Sequence, residues 1–461
     1  MVDARDPSVW RELLADAAAR AVGYAATVDG RRVVPDDEAL AGLAGFDEAL
    51  PEAGTDPADT LRLLDELGSP ATVASTGGRY FGFVTGAAHP AALGAAFLTA
   101  AWDQNAALPV MSPVATQLHR VVRGWLVDLL GLPGDTGVAF VSGATVANAS
   151  CLAAARDALL ARLGWDGPAD GLLGAPAFDV VVGERAHSTL SKSLSFVGLG
   201  RSRVVTVPAD DQGRLRADLL PDLAGPVLVC AQAGEVNTGA FDPFDDIADW
   251  LAPRGGWLHV DGAFGLWALA DPGRAHLTRG LARADSWATD GHKWLNVTYD
   301  SGIAFVRRLE DLRRTFTATA GYLPTSDAFE AMHHTPQSSQ RARQVEVWAV
   351  LRTLGRDGVA RLVRDACDAA ALVGELLDRG GLEVVNDVVL NQVLVRGVDD
   401  VSTTAMVSAV QAGGEVWCGP ASWDGRPAMR ISVSSWTTGL DDARAAATVI
   451  LDAAAASGAL R

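Results

Sequence analysis

Short apolar runs recur along the middle of the chain after Gly137, at 138–141, 179–183, 203–207, 226–232, 257–261 and 303–307. Each is four to seven residues long and bounded by glycine or polar residues, which predicts strands, and helical periodicity fills several of the gaps between them. Strands alternating with helices build a mainly parallel sheet, so the fold class is α/β. Upstream, Trp10, Leu13, Leu14, Ala17 and Val22 share one face of a helix over 8–22, and a second helix over 58–67 ends at the breaker Gly68-Ser69-Pro70. The stretch 91–102 is apolar on all sides, which predicts a buried helix, and a longer amphipathic helix covers 114–130. Two long helices over 337–379 come next. Strands near 390–396, 414–418 and 428–433 and a last helix from 440 then form a smaller α+β unit. The organisation expected is an N-terminal helical arm (1–76), a large domain (77–347) and a small C-terminal domain (348–461).

A length of 461 residues is ample for a core built without covalent staples. The 56 acidic residues outnumber 38 basic ones, and the net charge of −18 argues against nucleic-acid or anionic-membrane partners. Cys151, Cys230, Cys367 and Cys418 are scattered and form no CxxC pair, which points to a reducing cytoplasm and to neither a zinc site nor a disulfide framework. No metal site is expected. The first residues lack the basic and apolar segments of a secretion signal, and the longest apolar stretch is about half of what a bilayer needs.

Arginine is written almost everywhere a cation is needed: Lys192 and Lys293 are the two lysines among 38 basic residues. Lys293 lies in SWATDGHKWLNVTYDSG, 286–302. An ammonium can lose its proton and form a Schiff base, which a guanidinium cannot, so Lys293 is the candidate covalent anchor for pyridoxal phosphate. FVSGATVANAS, 140–150, is a strand running into a helix whose first turn holds Ala144 and Thr145, an anion-binding arrangement. In GWLHVDGAFGLWA, 256–268, Asp261 ends an apolar strand, where a buried carboxylate needs a partner such as a pyridinium N–H, and Ala263 leaves room for a flat ring. His187, just past the strand DVVVGE, is placed to stack on the other face. Tyr80, Phe81 and Phe83 in a glycine-rich turn could line a pocket.

Together WDQNA, FVSGATVAN, AHST, AQAGEVNTGAFDP, HVDGAFG and DGHKWLNVTYDSG resemble the group II pyridoxal-phosphate decarboxylases, which include aromatic-amino-acid and glutamate decarboxylases. The resemblance covers most of the chain. It implies a fold-type-I architecture, aspartate-aminotransferase-like, with a seven-stranded-type sheet, and a homodimer with active sites at the subunit interface. It implies that Lys293 bonds pyridoxal 5'-phosphate, Asp261 pairs with the ring nitrogen, His187 stacks on the ring, and Ala144 and Thr145 bind the phosphate with help from His292. Tyr322 in TATAGYLPT matches a loop tyrosine that returns a proton to the substrate carbon. Asp290-Gly291 stands where animal members have Asn-Pro, Glu235 stands near the cofactor hydroxyl where relatives carry a smaller polar residue, and the segment from Tyr322 to Arg341 is short for a lid. The activity implied is decarboxylation of an L-amino acid to its amine. Alternatives are aldehyde-forming or aminotransferase-like chemistry, and a silent homologue acting as a binding protein. Arg430 points to an acidic substrate, whereas Tyr80, Phe81, Phe83 and Trp102 point to an aromatic one.

Overall fold

The computed structural model describes residues 6–318 and 329–461. Its strands, in chain order, are β1 (Tyr80–Phe81), β2 (Gly137–Val141), β3 (Asp179–Gly183), β4 (Val205–Val207), β5 (Val227–Gln232), β6 (Trp257–Asp261), β7 (Ser286–Asp290), β8 (Gly302–Val306), β9 (Glu383–Val384), β10 (Gln392–Arg396), β11 (Trp417–Trp423) and β12 (Arg426–Ser432). Seven of them form one sheet in the order β2-β8-β7-β6-β5-β3-β4. The strands from β7 across to β4 run parallel, and β8 inserts antiparallel to both β2 and β7. Helices cover both faces, so the central strands are buried along their whole length. β7 is absent from the strands expected from the sequence. SWATD carries Ser286, Thr289 and Asp290, all buried and each satisfied by a specific neighbour rather than by an apolar environment.

The helix Ala144–Arg162 leaves the end of β2 and runs under the sheet on a face of alanine, cysteine and leucine, small enough for close approach. The helix Pro90–Trp102 departs from the expectation of full burial. Ala92, Ala95 and Thr99 face the protein while Phe97, Leu98 and Trp102 remain exposed. The two long helices expected over 337–379 are the two arms of Gln344–Arg379, broken at Gly355, which adopts φ 63° and ψ −176°. At the N-terminus, Pro7–Thr27 and Pro57–Gly68 pack together, with Arg20 bonded to Asp16 at 2.8 Å and to Asp65 at 3.1 Å. Leu14, Val22 and Leu64 on this pair point outward.

The second sheet has the order β1-β11-β12-β10-β9. Its edge strand comes from far upstream: β1 pairs parallel with β11, placing Tyr80 beside Trp417 and Phe81 beside Cys418. The glycine-rich turn expected to line a pocket therefore ties the front of the chain to the C-terminal sheet. Among the described residues, no helix is long and apolar enough to cross a membrane.

Candidate active site

β7 ends at Asp290, and the loop 291–301 carries Lys293 before the chain returns as β8. Asn296 pins this loop from inside. Its side-chain carbonyl accepts the amides of Ala87 at 2.8 Å and Trp436 at 3.0 Å, and its amino group donates to the carbonyls of Trp294 at 2.8 Å and Ser434 at 3.1 Å. Asn296 is fully buried and left-handed (φ 56°), a conformation asparagine tolerates better than most residues. Two glycines permit the packing. A Cβ on Gly86 would lie 1.8 Å from the Lys293 carbonyl oxygen, and one on Gly302 would lie 2.4 Å from the Gly143 backbone.

The Lys293 amine stands 3.1 Å from Asp290 Oδ2. Asp290 Oδ1 accepts the Ala144 amide at 2.6 Å and lies 3.5 Å from His292 Nε2. That amide opens the helix Ala144–Arg162, where free N–H groups and the helix dipole attract an anion. Asp290 thus already presents a carboxylate to the seat expected for a phosphate. Thr145 occupies the same first turn, and its carbonyl accepts the Ser193 hydroxyl at 3.0 Å. Tyr299 stacks on His292 with ring centres 4.1 Å apart.

Asp261 closes β6 and is 6% exposed. Its Oδ2 accepts Asn148 Nδ2 at 3.0 Å and its Oδ1 accepts the Ala263 amide at 3.2 Å. Burial pushes its pKa up, and the charges of Lys293 and His187 pull it back. His187, beyond β3, caps the helix Ser188–Phe196: its Nδ1 accepts the Thr189 amide at 3.3 Å and sits 2.7 Å from the Thr189 hydroxyl, and its own amide donates to Gln232 at 3.1 Å. Burial pushes the His187 pKa down, Asp261 raises it, and Lys293 and Arg430 lower it further. Lys293, Asp261 and His187 therefore act electrostatically on one another, and all three stand at or just beyond the carboxyl ends of β7, β6 and β3, the edge where ligands of such sheets bind.

Glu235 is 2% exposed, and its own turn takes up its carboxylate, with Oε2 accepting the amides of Asn237 at 2.6 Å and Thr238 at 2.8 Å. Arg430, on β12, donates to the Val236 carbonyl at 3.4 Å, and its Nε has no partner among the described residues. Its guanidinium is attracted to Glu235. Phe81 is 1% exposed and belongs to the core, which corrects its expected place in a pocket wall. Tyr80 stacks on Trp417 at 5.2 Å, burial and the Tyr299 phenol push its pKa up, and Phe83 stacks on Trp417 at 5.2 Å as well. Trp102 ends its helix half-exposed. Tyr322 lies outside the described residues.

Four contributors escaped the sequence expectations: Asn148, His259, Gln232 and Tyr299. His259 precedes Asp261 by two positions on β6 and so shares its face, a spacing visible in the sequence. Asn148 follows Ala144 by four residues and so lies one helical turn behind the anion seat.

These residues fit pyridoxal phosphate on structural grounds. An amine, a buried carboxylate and a helix N-terminus are what its aldehyde, ring nitrogen and phosphate require. A model of the pyridoxal-dependent decarboxylase conserved domain matches residues 69–397. The chain is 31% identical over 392 residues to L-2,4-diaminobutyrate decarboxylase of Rhizobium meliloti (strain 1021), covering 78% of this chain and 74% of that protein. It is 30% identical over 356 residues to histidine decarboxylase of Drosophila melanogaster, covering 72% of this chain but 41% of that longer protein. The structure of Oryza sativa TDC with PLP and tryptamine superposes with a TM-score of 0.91 over 99% of both chains at 22% identity.

Proposed function

Because the chain belongs to the pyridoxal-dependent decarboxylase family, we propose that it removes the α-carboxyl group of an L-amino acid, releasing carbon dioxide and the corresponding amine, with pyridoxal 5'-phosphate held at Lys293. The observation that carries this reading is the convergence of the Lys293 amine, the Asp261 carboxylate and the His187 ring at the ends of neighbouring strands, beside the start of the helix Ala144–Arg162. The cofactor, when bound, supplies an electron sink for the pair left behind as the carboxyl group departs.

The chain's own residues do the rest. Lys293 would hold the cofactor covalently through its amine. Asp261, when ionised, would pair with the ring nitrogen and favour its protonated form. His187 and Ala263 would flank the ring, and the first helical turn at Ala144 and Thr145, with His292, would receive the phosphate once the Ala144 amide exchanges its bond to Asp290 for the phosphate. Tyr322 is our proton donor to the substrate carbon, by its resemblance to the family's loop tyrosine. Arg430 is our candidate for a substrate carboxylate, since its Nε has no partner among the described residues and it lies close enough to shift His187. Leu14, Val22 and Leu64, exposed along the N-terminal helices, would be covered in a homodimer. Four buried free thiols fit a reducing compartment, and we place the protein in the cytoplasm.

Incubating the cofactor-loaded protein with acidic, aromatic, basic and diamino acids while measuring carbon dioxide tests the reading. Release from at least one class is expected. Release from none overturns it, and oxygen uptake in step with substrate loss would reassign the product as an aldehyde.

A further inference from the structure

Behind Asp261 lies a row of buried polar side chains that the chemistry above does not use. Asn148, His259 and Ser286 are fully buried and Trp257 is 1% exposed. The contacts run Asp261 Oδ2 to Asn148 Nδ2 at 3.0 Å, Asn148 Oδ1 to His259 Nε2 at 2.9 Å, His259 Nδ1 to Ser286 Oγ at 2.9 Å, and Ser286 Oγ to Trp257 Nε1 at 2.9 Å. Three secondary-structure elements supply them: the helix Ala144–Arg162 carries Asn148, β6 carries Trp257, His259 and Asp261, and β7 carries Ser286.

The carboxylate end, together with a neutral imidazole, dictates the protons along the row. An indole N–H can only donate, and an ionised carboxylate can only accept. Asn148 must therefore turn its amino group to Asp261 and its carbonyl to His259. His259 must carry its proton on Nε2, which leaves Nδ1 to accept from the Ser286 hydroxyl, whose oxygen accepts from Trp257. Reversing any link would set two acceptors or two donors face to face. We propose that Trp257, Ser286, His259 and Asn148 are positioning residues forming a one-way hydrogen-bond relay, which fixes an N–H donor on Asp261 and keeps that carboxylate ionised and aimed while the relay itself carries no charge. The inference rests on Asp261 being the partner of the cofactor ring nitrogen.

Neutrality of the relay is part of the device. Burial drives the His259 pKa down to about 3, so the ring stays uncharged where an imidazolium would compete for the carboxylate. The other groups facing Asp261 are Lys293 and His187, which favour its ionised form, and the thiols of Cys151 and Cys230, which stay protonated. Losing the Asn148 donor removes a hydrogen bond to a charged group from a site where burial already favours the neutral acid.

Two measurements test the relay. In protein labelled with nitrogen-15 histidine, the resonances that disappear in His259→Gln should report a neutral ring protonated on Nε2 across about pH 5 to 8, roughly 1.5 units either side of the ordinary histidine pKa. A ring protonated on Nδ1, or an imidazolium, overturns the proposal. In titrations with pyridoxal phosphate, Asn148→Leu and His259→Phe should bind at least about tenfold more weakly, the loss of one charge-assisted hydrogen bond, and should lose binding at a higher pH than wild type. His259→Gln, whose amide can donate in place of Nε2, should stay within about threefold of wild type. Wild-type affinity in Asn148→Leu would also overturn the relay. Failure of the wild-type protein to bind pyridoxal phosphate would instead sink the decarboxylase reading and leave the histidine result standing.

Discussion

Replacing Asn296 by alanine tests whether one buried amide holds the lysine loop in place. In the native protein this side chain makes four hydrogen bonds to backbone groups from three separate stretches: Ala87, Trp294, and the pair Ser434 and Trp436. Alanine leaves the buried Ala87 N–H, the partly buried Trp436 N–H and two carbonyls without these partners. Carbonyls tolerate this better than N–H groups, so the main cost is the two donors at roughly 1–3 kcal/mol each. Alanine also has to adopt the left-handed backbone of position 296 without a polar side chain to favour it, which adds about 1 kcal/mol. The sum is roughly 3–7 kcal/mol, a large fraction of the stability of a typical domain. Urea unfolding followed by tryptophan fluorescence is the assay, with Asn296→Asp as the companion variant. Aspartate keeps both acceptor bonds but turns an acceptor toward the carbonyls of Trp294 and Ser434, so it should also destabilise. A loss below about 1 kcal/mol for Asn296→Ala, on the scale of an ordinary surface change, would refute the idea that this amide fastens the loop.

Other consequences are as direct. Asp290→Asn keeps an acceptor for the Ala144 amide and removes the negative charge from the anion seat, so the affinity for pyridoxal phosphate should rise by about tenfold or more; weaker binding in a fluorescence titration would contradict the placement of the phosphate. Gly302→Ala forces a Cβ to within 2.4 Å of the Gly143 backbone, which should cost a few kcal/mol, about 2 or more, in unfolding measurements and loosen the start of the helix Ala144–Arg162. His119, buried against Phe140 and Phe329, has its pKa pushed down to about 3 by burial. The unfolded chain then binds the extra proton between about pH 6.5 and 3, so this residue stabilises the fold at neutral pH and that contribution is lost as pH falls through the window. His119→Gln should lose stability on acidification less steeply, by up to about 1.4 kcal/mol per pH unit, and an unchanged slope would show that the ring is not held neutral.

The large sheet was legible because β2, β3, β5 and β6 are runs of valine, leucine and alanine closed by a polar residue, and such runs have few other ways to be buried. β7 was not, since the polar side chains of Ser286, Thr289 and Asp290 conceal a strand whose neighbours answer each of them. Lys293 and Asp261 stood out from chemistry alone, one by its rarity and the other by its position at the end of an apolar strand. The seat of Asp290 did not, because its partner Ala144 is 146 residues away and only the approach of β8 to the start of a helix brings them together. Phe81 misled for the opposite reason: glycines around an aromatic signal close backbone approach, and here the approach is to Trp417 and Cys418 in the second sheet rather than to a ligand. His259 and Asn148 show that spacing on a shared face marks a support for a site only once the supported residue is known.

The most direct test of the account uses the scarcity of lysine. The protein is incubated with pyridoxal phosphate, reduced with borohydride, digested and read by mass spectrometry. With Lys192 and Lys293 as the only lysine side chains available, the adduct should appear on the peptide containing Lys293 and be absent after Lys293→Ala. An adduct confined to Lys192, or none on the folded protein, would contradict the assignment of Lys293 as the anchor.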